Sequence, residues 1–149
     1  GAEAGLDPAT LGLGTYVPLA VHEDRSTARE LLRGTIGSYA RFSVMHGQVA
    51  GPVAETQRST LEAVHHAYDM NAHFTHGSPQ SQALTDEVID AFGIAGPAGY
   101  CLERLAELHA MGIRRVFVQG PARGLDPAEA DAAHRRFVAE VLPAALTLP

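Results

Sequence analysis

The sequence predicts an α/β fold. Three observations carry this. Apolar runs, rich in β-branched and aromatic residues, at Leu11–Val21 and Ile113–Gln119 read as strands. Apolar residues recur at helical spacing between and after them. Gly-Pro and Asp-Pro pairs mark the boundaries. The resulting order is strand, helix, insertion, strand, helix, strand, helix, which argues for parallel strands joined by right-handed crossovers.

Gly1–Gly5 reads as the last turn of a helix capped by Gly5, and Asp7-Pro8 as a turn. The first strand, Leu11–Val21, is apolar enough to be buried on both faces, with a bulge or irregular end expected at Pro18, which lacks a ladder donor. Glu23-Asp24 opens a helix that the spacing carries from about Arg25 to about Met45. Gly34 and Gly37 inside it leave room for another backbone. Residues 47–84 form an inserted helical lid, longer than an ordinary connection, with Val53–Met70 helical and Asn71–Gln82 a loop. Thr85 caps a short helix over Asp86–Ala91, and Phe92–Ala95 is a short strand. Gly96-Pro97 turns into a helix with Cys101, Leu105 and Leu108 on one face, closed by Gly112. Ile113–Gln119 is the last strand, expected to be the most buried element. Asp126-Pro127 starts a final helix whose inner face is Ala130, Ala133, Phe137 and Val141 and which Pro143 helps end.

The 149 residues, 46% hydrophobic and 19% charged, suit a single domain over residues 1–149. Seventeen acidic against 11 basic residues give a net charge of −6, which argues against nucleic-acid binding. The lone Cys101 excludes an internal disulfide or a multi-cysteine zinc site. All 11 basic residues are Arg, so neither a Schiff-base lysine nor a P-loop lysine is present. No apolar run approaches the ~20 residues of a membrane span and no signal peptide is evident, so the cytoplasm is the expected compartment.

Tyr68-Asp69-Met70, then H-x-x-H at His73 and His76, then A-L-T-D-E-V-I-D-A-F-G-I-A-G-P and C-L-E-R-L-A-E-L-H-A-M-G-I-R-R-V-F-V-Q-G-P form an ordered set. With the opening Y-V-P-L-A-V-H-E-D-R and the closing E-V-L-P-A-A-L, it resembles the luciferase-like oxidoreductase family. It is most similar to the branch that uses the deazaflavin coenzyme F-420, related to methylenetetrahydromethanopterin reductase. The resemblance implies a (β/α)8 TIM barrel, which takes about 250 residues. It therefore implies that this chain is the C-terminal portion of one, about three βα units holding strands six to eight. It also implies hydride transfer or monooxygenation with coenzyme F-420 or FMN in the complete parent. Most cofactor-holding and acid–base residues of the family fall in the N-terminal half, so the catalytic residues are unknown here. The isolated chain is expected to bind neither cofactor tightly, to be inactive alone, and to self-associate or pair with that half. Three strands from a barrel imply open edges and an uncovered inner face. The alternative is a nonenzymatic binding or assembly module derived from the same fold.

The site candidates follow from residue chemistry and from that placement. His22 at the end of the first strand, with Tyr68, His73 and His76 of the lid, are candidates for a small-molecule pocket, as neutral imidazoles and a phenol at strand ends. Arg123, in the turn G-P-A-R-G, is a candidate clamp for an anionic cofactor group. Gly96 precedes a helix N-terminus with free N–H groups and is a second cofactor candidate. His65, His66, His73 and His76 lack the spaced acidic partner of a zinc hydrolase, so no metal site is assigned. Cys101 reads as core.

Overall fold

The computed structural model describes residues 12–148 and Gly5. The helix end expected over residues 1–4, the turn at Asp7-Pro8 and the strand start at Leu11 lie outside them. In chain order the elements are β1 (Gly14–Val21), α1 (Arg25–Ala40), α2 (Glu55–His66), α3 (Pro79–Gln82), α4 (Asp86–Phe92), β2 (Ile94–Gly96), α5 (Ala98–Ala110), β3 (Arg115–Gln119), α6 (Pro127–Arg136) and α7 (Leu142–Ala145).

All three strands are parallel, in the order β2-β1-β3. This corrects the expectation of three successive barrel strands, which would stand in chain order with β2 in the centre. β1 takes the centre because Val17–Val21 is a continuous apolar stretch, buried throughout. β2 is three residues long and β3 carries Arg115 and Gln119 at its ends.

The strand order dictates where the helices lie. The β1-to-β2 and β2-to-β3 crossovers run in opposite directions, so right-handed connections place their helices on opposite faces. Ala20 and Ala95 pack with Leu31, Leu32 and Ile36 of α1. Val17, Leu19, Val21 and Ile94 pack with Cys101 and Leu105 of α5 and with Val141. Alternate residues of β1 thus feed two cores, as the pleat requires. The expectation of one covered layer and an open inner face is corrected in part: helices pack on both faces of the sheet, while its end around Tyr16, Val116 and Phe117 stays exposed.

Pro18 sits inside this central strand without the expected bulge. β1 pairs with β3 from Gly14 to Pro18 and with β2 from Leu19 to Val21. The missing N–H falls where β1 passes from one neighbour to the other. β3 is an edge and is not the most buried strand. Phe117 is 60% exposed and Val116 36%, and the Phe117 ring lies 5.0 Å from that of Tyr16, itself 62% exposed.

Local signals place the helices. Asp24 caps α1, its carboxylate accepting from Thr27 N–H at 2.8 Å. Thr85 and Asp126 cap α4 and α6. α1 ends at Ala40 rather than Met45, passing into a 3₁₀ turn over Arg41–Ser43. The helix expected over Val53–Met70 spans Glu55–His66, and the stretch expected as a loop holds a 3₁₀ turn at Met70–Ala72 and the short α3. Segment 47–84 packs Leu61, Val64 and Leu84 into the core against α1. Pro143 does not stop the last helix. A π-helical turn over Phe137–Val141 precedes it, and Pro143 falls in the first turn of α7, where its missing N–H costs little.

Candidate functional site

The frame of the site is the contact between α1, segment 73–76 and the turn after β3. A Cβ on Gly34 would stand 2.6 Å from the backbone of Thr75 and His76, so the glycine is what lets segment 73–76 lie on the helix. Backbone hydrogen bonds then fasten three pieces of chain together. Ala122 donates to the Leu31 carbonyl at 2.8 Å, Arg123 to Phe74 at 2.9 Å, and His76 to Arg123 at 2.8 Å. Phe74 is held in the left-handed region at φ 58°, which costs a residue with a Cβ about 1–2 kcal/mol. Its N–H donates to Ser38 Oγ at 2.9 Å, which offsets part of that cost.

A second buried side chain shapes the preceding turn. Gln80 is fully buried. Its Oε1 accepts from Asp69 N–H at 3.1 Å, and its Nε2 donates to the carbonyls of Asp69 and Ala72, each at 3.2 Å. That turn sets Tyr68 against His73. The Tyr68 hydroxyl is hydrogen-bonded to His73 Nδ1, and the Arg41 guanidinium lies 4.2 Å from the Tyr68 ring centroid. Burial, then the charges of Arg123 and Arg41, hold His73 below the ordinary histidine value, so the ring is neutral at neutral pH.

His73 and Arg123 open onto a cleft of ≈ 490 Å3, lined also by Thr35, Phe74, Gln119, Gly120 and Pro121. The volume is that of a small-molecule site. It lies beyond the carboxyl end of β3, next to β1, the place where the connection direction of this sheet reverses. Open α/β sheets bind ligands at such points. The Arg123 guanidinium donates to the His73 carbonyl. Gln119 Oε1 is buried with no hydrogen-bond partner. An unpaired buried acceptor costs about 1–3 kcal/mol and marks a place where a donor belongs. A groove of ≈ 390 Å3 also runs along β3, α5 and the C-terminal helices. Its walls are mainly apolar, and its His109 and Arg114 contact each other.

The expected site residues divide into two groups. Tyr68, His73, His76 and Arg123 come together, with Tyr68 behind His73 and His76 paired to Glu30 at 3.2 Å. His22 and Gly96 meet elsewhere, at the ends of β1 and β2, where His22 N–H donates to the Gly96 carbonyl at 3.0 Å. The His22 ring accepts from Asp24 N–H at 3.0 Å. Gly96 is buried against Tyr100, which is in turn covered by Arg25 at 4.4 Å. Among the described residues, no hydrogen bond or ring contact of the first group reaches the second. Cys101 is fully buried and burial pushes its thiol up to about 11, which suits a core residue. Among the described residues no three His, Cys, Asp or Glu side chains converge on a metal position, and no helix is long and apolar enough to cross a membrane. Thr35, Phe74 and Gln119 were not candidates from the sequence. Only Gln119 carried a signal, as a polar residue ending an apolar strand just before Gly-Pro.

The chain is an α/β protein with helices on both sheet faces and a polar cleft beyond a strand end. The chain belongs to the luciferase-like monooxygenase family, whose sequence profile matches residues 1–115. The match ends at the first residue of β3, so Gln119 and Arg123 lie beyond it. No curated protein matches the chain.

Proposed function

We propose that the chain forms part of a flavin- or deazaflavin-dependent oxidoreductase acting by hydride transfer or monooxygenation, with the cleft beyond β3 as one wall of its pocket. The observation that carries this is the cleft's content: neutral His73, the Arg123 fork and the unpaired Gln119 acceptor, beside the Phe74 ring. These groups fit a planar heteroaromatic ring bearing N–H and C=O groups. Gln119 and Arg123 would hold its polar edge and Phe74 its face. A flavin or deazaflavin supplies two-electron redox chemistry when bound. The chain's own residues position the group. His73 holds one proton on its neutral ring, Tyr68 fixes that ring's orientation, and segment 73–76, packed on α1 at Gly34, carries His73 and Phe74 to the cleft.

A complete pocket needs further walls, so the chain alone is expected to bind weakly, above micromolar Kd. Titration of the full chain with FMN and with coenzyme F-420, followed by heteronuclear NMR, tests this. One of them is expected to shift the Gln119 side-chain amide and His73 ring signals. No shift of either at millimolar concentration overturns the reading. A second reading, a nonenzymatic assembly module, is favoured by the exposed Tyr16–Phe117 pair on the open part of the sheet. In it the chain associates with itself or with a segment carrying further strands, and the same titration shows no cofactor response.

A further inference from the structure

We infer that Gln119 and Arg123 together form a recognition site for an imide edge, the –CO–NH–CO– arrangement of a pyrimidinedione ring. The inference deepens the reading above and rests on it for the class of ligand.

Gln119 is the starting point. Its Oε1 is buried and unpaired at the cleft that Gln119 itself lines. A primary amide carries an acceptor and a donor side by side. Its best-matched partner offers the reverse pair, an N–H next to an acceptor, and takes both bonds at once, as glutamine does with other heterocycle edges. Such a ligand gives Oε1 the proton it lacks. Arg123 then selects among the possible edges. Guanidinium has five donors and no acceptor, and Arg123 spends one nitrogen on the His73 carbonyl. What suits its remaining donors is a second carbonyl beyond the N–H. An imide has that carbonyl, whereas adenine shows no second carbonyl beside its donor. Phe74 and Pro121 offer apolar surface to the flat ring. The site is built rather than accidental. Gly120 accepts from Thr35 Oγ1 at 3.3 Å, and Arg123 is zipped through its backbone to Phe74 and His76. The backbone of the turn that carries Arg123 and follows Gln119 is therefore held before any ligand arrives.

The test compares riboflavin with N3-methylriboflavin on the wild-type full chain, by calorimetric titration and by the NMR signals of the Gln119 amide. The two probes share ring, charge and side chain and differ at the single N–H. Riboflavin is expected to bind at least about tenfold more tightly, because the methylated ring leaves Oε1 unpaired. Gln119→Leu is expected to remove the preference, so that both probes bind alike. Since the probe pair is read on the wild-type chain, the result does not depend on that variant folding. Equal binding of the two probes overturns the inference while leaving the flavin reading standing. Adenosine binding that depends on Gln119 also overturns it. If riboflavin fails but uracil is preferred over 3-methyluracil, the imide site stands and the flavin reading falls. If none of these rings binds, the imide site falls, and the separate FMN and coenzyme F-420 titration decides the other.

Discussion

The Tyr68 hydroxyl is hydrogen-bonded to Nδ1 of His73, five residues on, and Arg41 covers the phenol ring at 4.2 Å. A neutral ring that accepts at Nδ1 keeps its proton on Nε2. The expected outcome is therefore a His73 locked as the Nε2–H tautomer, titrating below about 6.5. Nitrogen-15 chemical shifts across a pH series measure both. The folded ring binds its proton less readily than the unfolded one. This group's share of stability is thus present above about pH 6.5 and is lost as pH falls through the depressed folded value. Arg123→Gln is expected to raise the His73 value part of the way, since burial is the larger cause. Titration at or above 6.5 in the wild-type chain contradicts this account.

Gly34 is expected to resist substitution. Alanine normally stabilises a helix interior by about 0.5–1 kcal/mol over glycine. Here the added Cβ meets the backbone of Thr75 and His76 at 2.6 Å, and that backbone is fastened to Arg123. Gly34→Ala is expected to cost about 1–3 kcal/mol, the usual price of overpacking. Gly99→Ala in α5, with nothing within 4 Å of its Cβ, is expected to be neutral or stabilising by about 0.5 kcal/mol. Urea denaturation of the pair decides. Equal effects at both sites dismiss the clamp.

Much of the local structure was legible because it depends on nearby residues. Thr85 and Asp126 read as caps and are caps, each satisfying an N–H within its own first turn. The expectation at Gly34 and Gly37 was legible too, because a buried face with no side chain predicts a close neighbour. Strand order was not legible. It depends on which strands compete for the centre, and the apolar tripeptide V-F-V of β3 looks as buried as β1 until β1 wins both neighbours. Pro18 misled for the same reason, since its cost depends on where one pairing partner ends and the next begins. In the site, His73 and Arg123 were candidates as chemistry-bearing loop residues. Their joining through Phe74 and His76, and the orphaned acceptor on Gln119, arise from contacts some 45–50 positions apart that no local pattern encodes.

The α1–α4 interface predicts an acid-sensitive fold. Arg29 donates to Asp90 at 2.6 and 3.0 Å and to Asp86 at 3.1 Å, with Arg25 3.1 Å from Asp90. Burial pushes the Asp90 carboxyl up, but the Arg29 hydrogen bonds and the charges of Arg29 and Arg25 outweigh it, leaving the group below its ordinary value. Stability from this pairing is fully present above about pH 3.9 and is lost as pH falls through the lower folded value. Asp24, held at about 2 by hydrogen bonds from Ser26 and then Thr27, adds to the same acid limb. Asp90→Asn is expected to lower stability at pH 7 by about 1.5–3 kcal/mol, as for hydrogen bonds to charged groups, and to flatten the acid limb. An unchanged pH dependence between pH 4 and 2.5 rejects this.

Phe117 offers the sharpest test of the edge position of β3. Were the strand central, truncating a buried aromatic would cost about 3–5 kcal/mol. Its side chain is 60% exposed and meets a similarly exposed Tyr16 at a tilt of 56°, so Phe117→Ser is expected to change stability by less than about 1 kcal/mol. Leu32→Ala, at a fully buried position of α1, is expected to cost about 2–5 kcal/mol in the same assay. The exposed pair has a second consequence. β3 is bonded to β1 on one side, and among the described residues nothing pairs with its other side. An apolar edge strand of this kind is a template for another strand. Sedimentation velocity over a concentration series is therefore expected to show association of the wild-type chain, reduced in Phe117→Ser while the midpoint of urea denaturation holds. Association unchanged by the substitution places the contact elsewhere. A large loss of stability returns β3 to the core.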